Sequence, residues 1–191
     1  MEWFFKTLRK KWKITMLEPQ INTNIIGKIR EAKIEDAGRM AEIQFNGWRT
    51  AYRGIISDDF LFGRMNIKKK IANFEKEIEE FKNQFYIYER NNIICGMMII
   101  SECKDEDRKD AFELLCLYTD FYIWREGIGN QLLSYCEKEA INRGFSKNVL
   151  WCLDKNNIGR GFYEKNGYRL DNKSQIIEKF GVVELRYVKY L

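Results

Sequence analysis

The sequence predicts an α/β (α+β) fold: a mixed, mostly antiparallel central sheet with helices on both faces. Three observations carry this. Apolar runs of strand length and amphipathic helical patterns follow one another in the order β α α β β β α β α β β. Two of the strand-like runs, 84–90 and 93–102, are separated only by Asn91-Asn92, a dipeptide that tolerates positive φ and closes a hairpin. One strand–turn–helix–strand passage, residues 112–154, supplies a β-α-β crossover and therefore a parallel pair within the sheet.

Taken in order, residues 1–24 read as a basic, aromatic extension, and 25–191 as one domain long enough to bury a sizeable core. Residues 25–33 read as a strand. Glu35 and Asp36 then place acids in the first turn of a helix, where the helix dipole favours them, and Met40, Ile43 and Trp48 give that helix an apolar side. Gly54 breaks it. Ser57-Asp58-Asp59 offers an N-cap for a second helical region reaching residue 82, its acidic part at 75–80 reading as a solvated face. The hairpin follows, then a charged loop at 105–110 and an apolar strand at 112–118. After a turn carrying Arg125, Gly127 and Gly129, the residues Ile128, Leu132, Leu133, Cys136 and Ala140 recur near one face of a helix closed by Gly144. A strand at 147–154, a short helix ending at Gly167, the start of a strand at 168–170, a loop-like stretch at 172–180 and a strand at 182–191 complete the chain.

The totals exclude several classes of function. A hydrophobic content of 45% with 32% charged residues is that of an ordinary soluble domain. The longest apolar run, 93–100, is strand length, far short of the roughly 18 residues of a membrane helix. Net charge is +5, but residues 1–17 hold +4 of it (Lys6, Arg9, Lys10, Lys11, Lys13 against Glu2), leaving a body at +1. So neutral a body is not expected to bind nucleic acid, whose affinity comes from phosphate neutralisation. The N-terminal segment has its charge after its apolar residues, the reverse of a signal peptide. It reads as a loose appendage, an interfacial helix or a packing arm, with Met16 as an alternative start. Five cysteines without a C-x-x-C pair read as reduced core thiols of a cytoplasmic protein, with no metal site and no disulfide framework. The absence of histidine excludes Ser–His and Cys–His catalysis, so a general base must be a carboxylate, another side chain or water.

The turn at 125–130 has the makings of an anion site. The first turn of a helix presents unpaired N–H groups and the positive end of its dipole, and glycines at 127 and 129 let an anion approach the backbone. Taken alone, the same glycines suit a tight strand-to-helix connection equally well. Neither G-x-G-x-x-G nor G-K-[ST] is present, since position 132 is Leu, and neither a dinucleotide fold nor a P-loop is supported.

Three segments together resemble the GNAT superfamily of acyl-CoA-dependent N-acyltransferases. ELLCLYTDFYIWREGIGNQLL resembles the family's strand and pyrophosphate loop, [Q/R]-x-x-G-x-[G/A]; LDKNNIGRGFYEKNGY resembles its N-x-x-[small]-x-x-F-Y-x-x-x-G-[F/Y] motif; and IREAKIEDAGRMAEIQFNGWRTAYRGIISDDFL resembles the N-terminal strand and helix of many bacterial members. The match spans residues 25 to 170 in order and spacing. One departure is plain: Trp124 stands at the loop motif's first position, with Arg125 one place later.

The resemblance implies acetyl-CoA as cosubstrate, with its pyrophosphate on the N–H groups of Arg125, Glu126, Gly127, Ile128, Gly129 and Asn130. It implies that Leu117, Tyr118 and Thr119 offer backbone groups to the pantetheine arm where the strands splay, with Asn156 facing that arm from the other side. Tyr163 is implied near the cofactor sulfur, as acid to the departing thiolate; a tyrosine at its reference pKa of about 10 is protonated at neutral pH. Core packing beside Phe162 is the other reading of Tyr163. Glu113, opening an apolar strand, is the candidate base, directly or through water, and equally reads as a solvated strand-end carboxylate. Trp48, Tyr52 and Arg53 stand where the family builds its acceptor wall, and core packing explains Trp48 as well. The expected function is acetyl transfer to a primary amine of a small molecule or peptide, with a homodimer left open. The alternative is an acyl-CoA-binding module without turnover.

Overall fold

The computed structural model describes residues 27–82 and 84–191, so the expected extension at 1–24 lies outside the described residues. The strands are β1 (Lys28–Glu31), β2 (Phe85–Arg90), β3 (Ile93–Glu102), β4 (Phe112–Thr119), β5 (Lys147–Leu153), β6 (Arg169–Ile177) and β7 (Val182–Tyr190). The helices are α1 (Ala37–Ala51), α2 (Ile67–Glu80), α3 (Ile128–Asn142) and α4 (Asn157–Lys165), with a π-helical turn at Asp59–Arg64. The strands form one sheet in the order β1-β2-β3-β4-β5-β7-β6. Only β4 and β5 pair in parallel; every other neighbouring pair is antiparallel. The element order is the one read from the sequence.

Strand alternation divides the core between the two faces of the sheet. Ile87 and Met97 pack with Met40, Ile43, Phe74 and Ile78 of α1 and α2. Tyr86, Tyr88 and Met98 face the other way, against Ile128, Leu132, Leu133 and Cys136 of α3, with Phe162 and Tyr163 of α4 beside them.

Two local expectations are corrected. Residues 172–180 are not loop-like, because β6 continues through them to Ile177. It is the outer strand, hydrogen-bonded to β7 alone and exposed along most of its length, so it needs no apolar alternation. The helical region at 57–82 is two pieces. The π-helical turn stops at Met65, whose ψ of 125° is extended, and Asn66 opens α2 by accepting the Lys69 N–H at 3.0 Å.

Strand β4 carries a one-residue irregularity. Ile99 faces Cys116 and Ile100 faces Leu114, so Leu115 is an unpaired extra residue, a β-bulge, and is 49% exposed. Glu113, Cys116 and Tyr118, partners of Ser101, Ile99 and Met97, therefore share the α1–α2 side of the sheet.

Candidate functional site

The parallel pair is short. Only Phe112, Glu113 and Leu114 find partners on β5, in Asn148, Val149 and Leu150. Both strands continue beyond that point, β4 to Thr119 and β5 to Leu153, so they diverge and leave the β5-facing edge of residues 115–119 without a strand partner. Leu117, Tyr118 and Thr119 all lie in this splayed half.

The glycine turn stands directly after it. Gly127 has φ +81 and is the N-cap of α3; Arg125 has φ +70. Such angles favour glycine because it has no Cβ to clash. The Gln131 N–H donates to the Gly127 carbonyl at 3.1 Å, so the N–H groups of Ile128, Gly129 and Asn130 precede the first intrahelical bond. A Cβ on Gly127 would meet open space, whereas one on Gly129 would stand 3.3 Å from the Phe162 ring. The two glycines thus serve different ends: Gly127 shapes the turn, and Gly129 lets α4 approach α3. Trp124, the departure from the family motif, donates its indole N–H to the Thr119 carbonyl at 3.1 Å and ties the turn to the end of β4. Glu126 pairs with Arg90 at 2.6 Å, Asn130 accepts from the Asn166 amide at 3.3 Å, and Arg125 is exposed.

Asn156 and Tyr163 come from the other side of the splay. Asn156 is the N-cap of α4, accepting the Gly159 N–H at 3.0 Å; a Cβ on Gly159 would come within 2.5 Å of its amide nitrogen. Its side-chain oxygen is thereby committed to the helix, leaving the NH₂ group. The Tyr163 ring meets Phe162 and Tyr168 edge-on, at 5.2 and 5.9 Å. Burial pushes its pKa well above 10, helped by Cys152 and Tyr52 nearby, so it remains a proton donor throughout the working pH range.

Glu113 lies below the splay, in the paired part of β4 and three residues before Cys116, and is 9% exposed. Burial raises its pKa above the ordinary 4.5, and the nearby Asp105 adds to this; the Cys103 thiol and the Lys104 N–H oppose it. The solvated strand-end reading of Glu113 is therefore replaced by a desolvated carboxylate. Asp105 belongs to an ion network centred on Arg186, which is 1% exposed and pairs with Asp105, Asp107 and Asp171 at 2.6–2.7 Å. Arg108 and Lys173 extend it, binding the loop before β4 to β6 and β7.

On the α1 side, Trp48 and Tyr52 pack edge-on at 5.2 Å, and Trp48 also contacts Phe60 and Phe180 at 6.3 and 6.0 Å. Tyr118 joins them from β4: its hydroxyl accepts the Trp48 indole N–H at 2.9 Å and lies 3.3 Å from the Tyr52 hydroxyl. Arg53 sits outside this wall, 71% exposed at its side chain and 3.9 Å from Asp58.

Sequence reasoning missed three residues here. Phe60 and Phe180 complete the wall, 4.7 Å apart, and nothing in their local patterns marked them. Glu184 pairs with Leu153, lies on the same side of β7 as Val182, and accepts from Gln175 at 2.6 Å; its charge is felt at Tyr52, Cys152 and Glu113. That one had a signal, an acid in the inward-facing row of Val182, Glu184 and Arg186. A cleft of about 760 Å³ lined by Tyr86, Tyr135, Glu139 and Arg143 lies at the far end of α3 from the glycine turn.

Residues 81–170 match the family model described as acetyltransferase (GNAT) domain. A probable N-acetyltransferase of Mycobacterium tuberculosis is 26% identical over 165 residues, covering 85% of this chain and 91% of that protein. The spermidine N(1)-acetyltransferase of Thermoplasma acidophilum is 28% identical over 156 residues, 80% of this chain and 96% of that one. Among solved structures, the PaiA N-acetyltransferase of the same organism, in complex with coenzyme A, shares the fold with a TM-score of 0.72 at 22% identity, covering 87% of this chain and 99% of its own. The ribosomal-protein-alanine N-acetyltransferase of Brucella melitensis has a TM-score of 0.65 at 19% identity, covering 86% and 99%.

Proposed function

We propose that the protein transfers an acetyl group from acetyl-CoA to a primary amine, by direct attack through a tetrahedral intermediate. The observation that carries this is the splay of β4 from β5 after Leu114, in line with the unpaired N–H groups at the start of α3. The residues suit a thioester of this kind: the turn at Arg125 to Asn130 offers N–H donors to a pyrophosphate, and residues 117–119 offer an unpaired strand edge to an amide-bearing arm. Asn156 presents its NH₂, which also meets the Cys152 thiol, to the same slot.

The amine enters from the α1 side, against Trp48 and Tyr52. Glu113 takes its proton through water, and its raised pKa makes it a stronger base than an ordinary carboxylate. Holding amine and thioester together supplies most of the acceleration, and a backbone N–H near Thr119 stabilises the oxyanion. Tyr163 protonates the departing thiolate. Arg53, at the rim, touches only the far end of an acceptor.

The similar proteins are named for different amines, spermidine in one case and a ribosomal protein's alanine in the other. Cysteines 95, 103, 116, 136 and 152 are all free thiols, in keeping with a cytoplasmic setting. No helix among the described residues is long and apolar enough to cross a membrane. The test is a screen of primary amines that follows release of free CoA, run beside calorimetry with acetyl-CoA. Turnover of at least one amine is expected. Tight acetyl-CoA binding without turnover on any amine would replace this reading with that of an acyl-CoA-binding module.

A further inference from the structure

We propose that Tyr118 is a positioning residue that ties the thioester-binding strand to the amine-binding wall, so that the two sites are coupled through one side chain. This rests on the acetyl-transfer reading above.

The backbone of Tyr118 belongs to the splayed half of β4, and its side chain crosses to α1. There α1 has made room for it. A Cβ on Gly47 would lie 2.8 Å from the Tyr118 ring, so the helix carries a mid-helix glycine where the ring packs. Glycine costs a helix interior about 1 kcal/mol relative to alanine, and here that cost secures ring-to-backbone contact.

The hydroxyl then organises two rings at once. An indole N–H can only donate, so Tyr118 Oη is the acceptor in its 2.9 Å bond with Trp48. Its own proton remains available to Tyr52 Oη, 3.3 Å away. Trp48 in turn carries Phe60 and Phe180, so one oxygen on β4 orients the inner half of the wall and, through it, the outer half. Burial lifts the Tyr52 pKa to about 12 and that of Tyr118 well above its ordinary value, so neither hydroxyl ionises in the working range and the two stay neutral hydrogen-bond partners.

Whatever fixes the edge of residues 117–119 also fixes the Tyr118 Cα, and with it the two rings. Amine binding is therefore strengthened when the strand edge is occupied, and by reciprocity the amine strengthens cofactor binding.

The test uses the full chain with Tyr118→Phe, which keeps the ring against Gly47 and removes both hydrogen bonds, and Trp48→Phe, which deletes the stronger bond from its other end. Thermal melts establish folding. For the best amine of the screen, KM is expected to rise about ten-fold in Trp48→Phe, the change that loss of one buried hydrogen bond produces, and at least as much in Tyr118→Phe, while the acetyl-CoA Kd stays within about two-fold. Amine affinity measured with and without free CoA should differ in the wild type and lose most of that difference in Tyr118→Phe. Unchanged KM and unchanged coupling in a folded variant overturn the proposal. A fall in kcat at constant KM also overturns it, since the hydroxyl would then be acting on the reacting atoms. A wild-type protein that turns over no amine overturns the acetyl-transfer reading and this inference with it.

Discussion

Gly129 and Phe162 hold the first turn of α3 against α4: a Cβ on Gly129 would stand 3.3 Å from the ring's Cζ. The contact joins the helix whose N-terminus is proposed to hold the pyrophosphate to the helix that carries Tyr163. Gly129→Val should therefore act by wedging these helices apart, lowering stability by about 1–3 kcal/mol and weakening acetyl-CoA binding. Gly127→Val strains a turn residue at φ +81 and should weaken binding with a smaller loss of packing. Calorimetry with acetyl-CoA, beside thermal melts, separates the two; undiminished affinity in folded variants of both would remove the pyrophosphate from this turn.

Among the described residues the Tyr163 hydroxyl has no hydrogen-bond partner in the protein, so Tyr163→Phe should leave stability and acetyl-CoA affinity nearly unchanged. The turnover number should fall on the order of ten-fold if thiolate protonation limits the rate. Steady-state kinetics at saturating amine check this. An unchanged kcat with chemistry rate-limiting would leave the ring as packing.

For Glu113 the sign of the pH dependence follows from its raised pKa. As base it must be ionised, so kcat/KM should fall as pH drops through the raised folded-state value, at a pH above the ordinary 4.5. Stability runs the other way: a raised carboxyl pKa stabilises below the unfolded value, and that contribution is lost as pH rises through the folded one. Glu113→Gln should thus be slower yet no less stable at neutral pH. A pH–rate profile and a denaturation series on one sample test both halves.

Arg186 lies buried between Asp105, Asp107 and Asp171, and its loss leaves three carboxylates facing one another. Arg186→Ala is expected to cost about 3–5 kcal/mol, read as a lowered midpoint in urea. Asp107 is held far below its ordinary 3.8 by Arg186 and Lys173, so its contribution is present above that value and fades as pH falls further.

A chain beginning at Met16 should keep its acetyl-CoA affinity, because every residue assigned to the site lies beyond residue 25. Calorimetry decides it; a folded product that no longer binds would put residues 1–15 within the site.

The fold was legible because its signals are local. Asn91-Asn92, both at positive φ, closed the hairpin, the alternating runs marked the strands, and the spacing of Ile128, Leu132 and Cys136 marked α3. The outer strand β6 escaped because Lys173, Ser174 and Gln175 answer to water on both faces and to one neighbour's backbone. Within the candidate site, Gly127 could be read because a turn at positive φ favours glycine, whereas Asn156 came only through the family resemblance and its role as the α4 cap emerged from the structure. The wall could not. Phe60, Phe180 and Trp48 meet across more than a hundred residues of chain, and only tertiary packing brings them together.

The extra residue at Leu115 gives β4 two parities. In an unbroken strand, residues an odd number apart point to opposite sides of the sheet, and Glu113 stands three from Cys116 and five from Tyr118. The bulge cancels that mismatch and puts Glu113, counted in one frame, on the same side of the sheet as Cys116 and Tyr118, counted in the other. Inserting one residue opposite Leu115, between Ile99 and Ile100 of β3, would remove the bulge and alter no functional side chain, yet it would send either Glu113 or the Cys116–Tyr118 pair through the sheet to the α3 side. Lengthening β3 by one residue would thus part the proposed base from the proposed acyl slot while leaving every group of both in the chain.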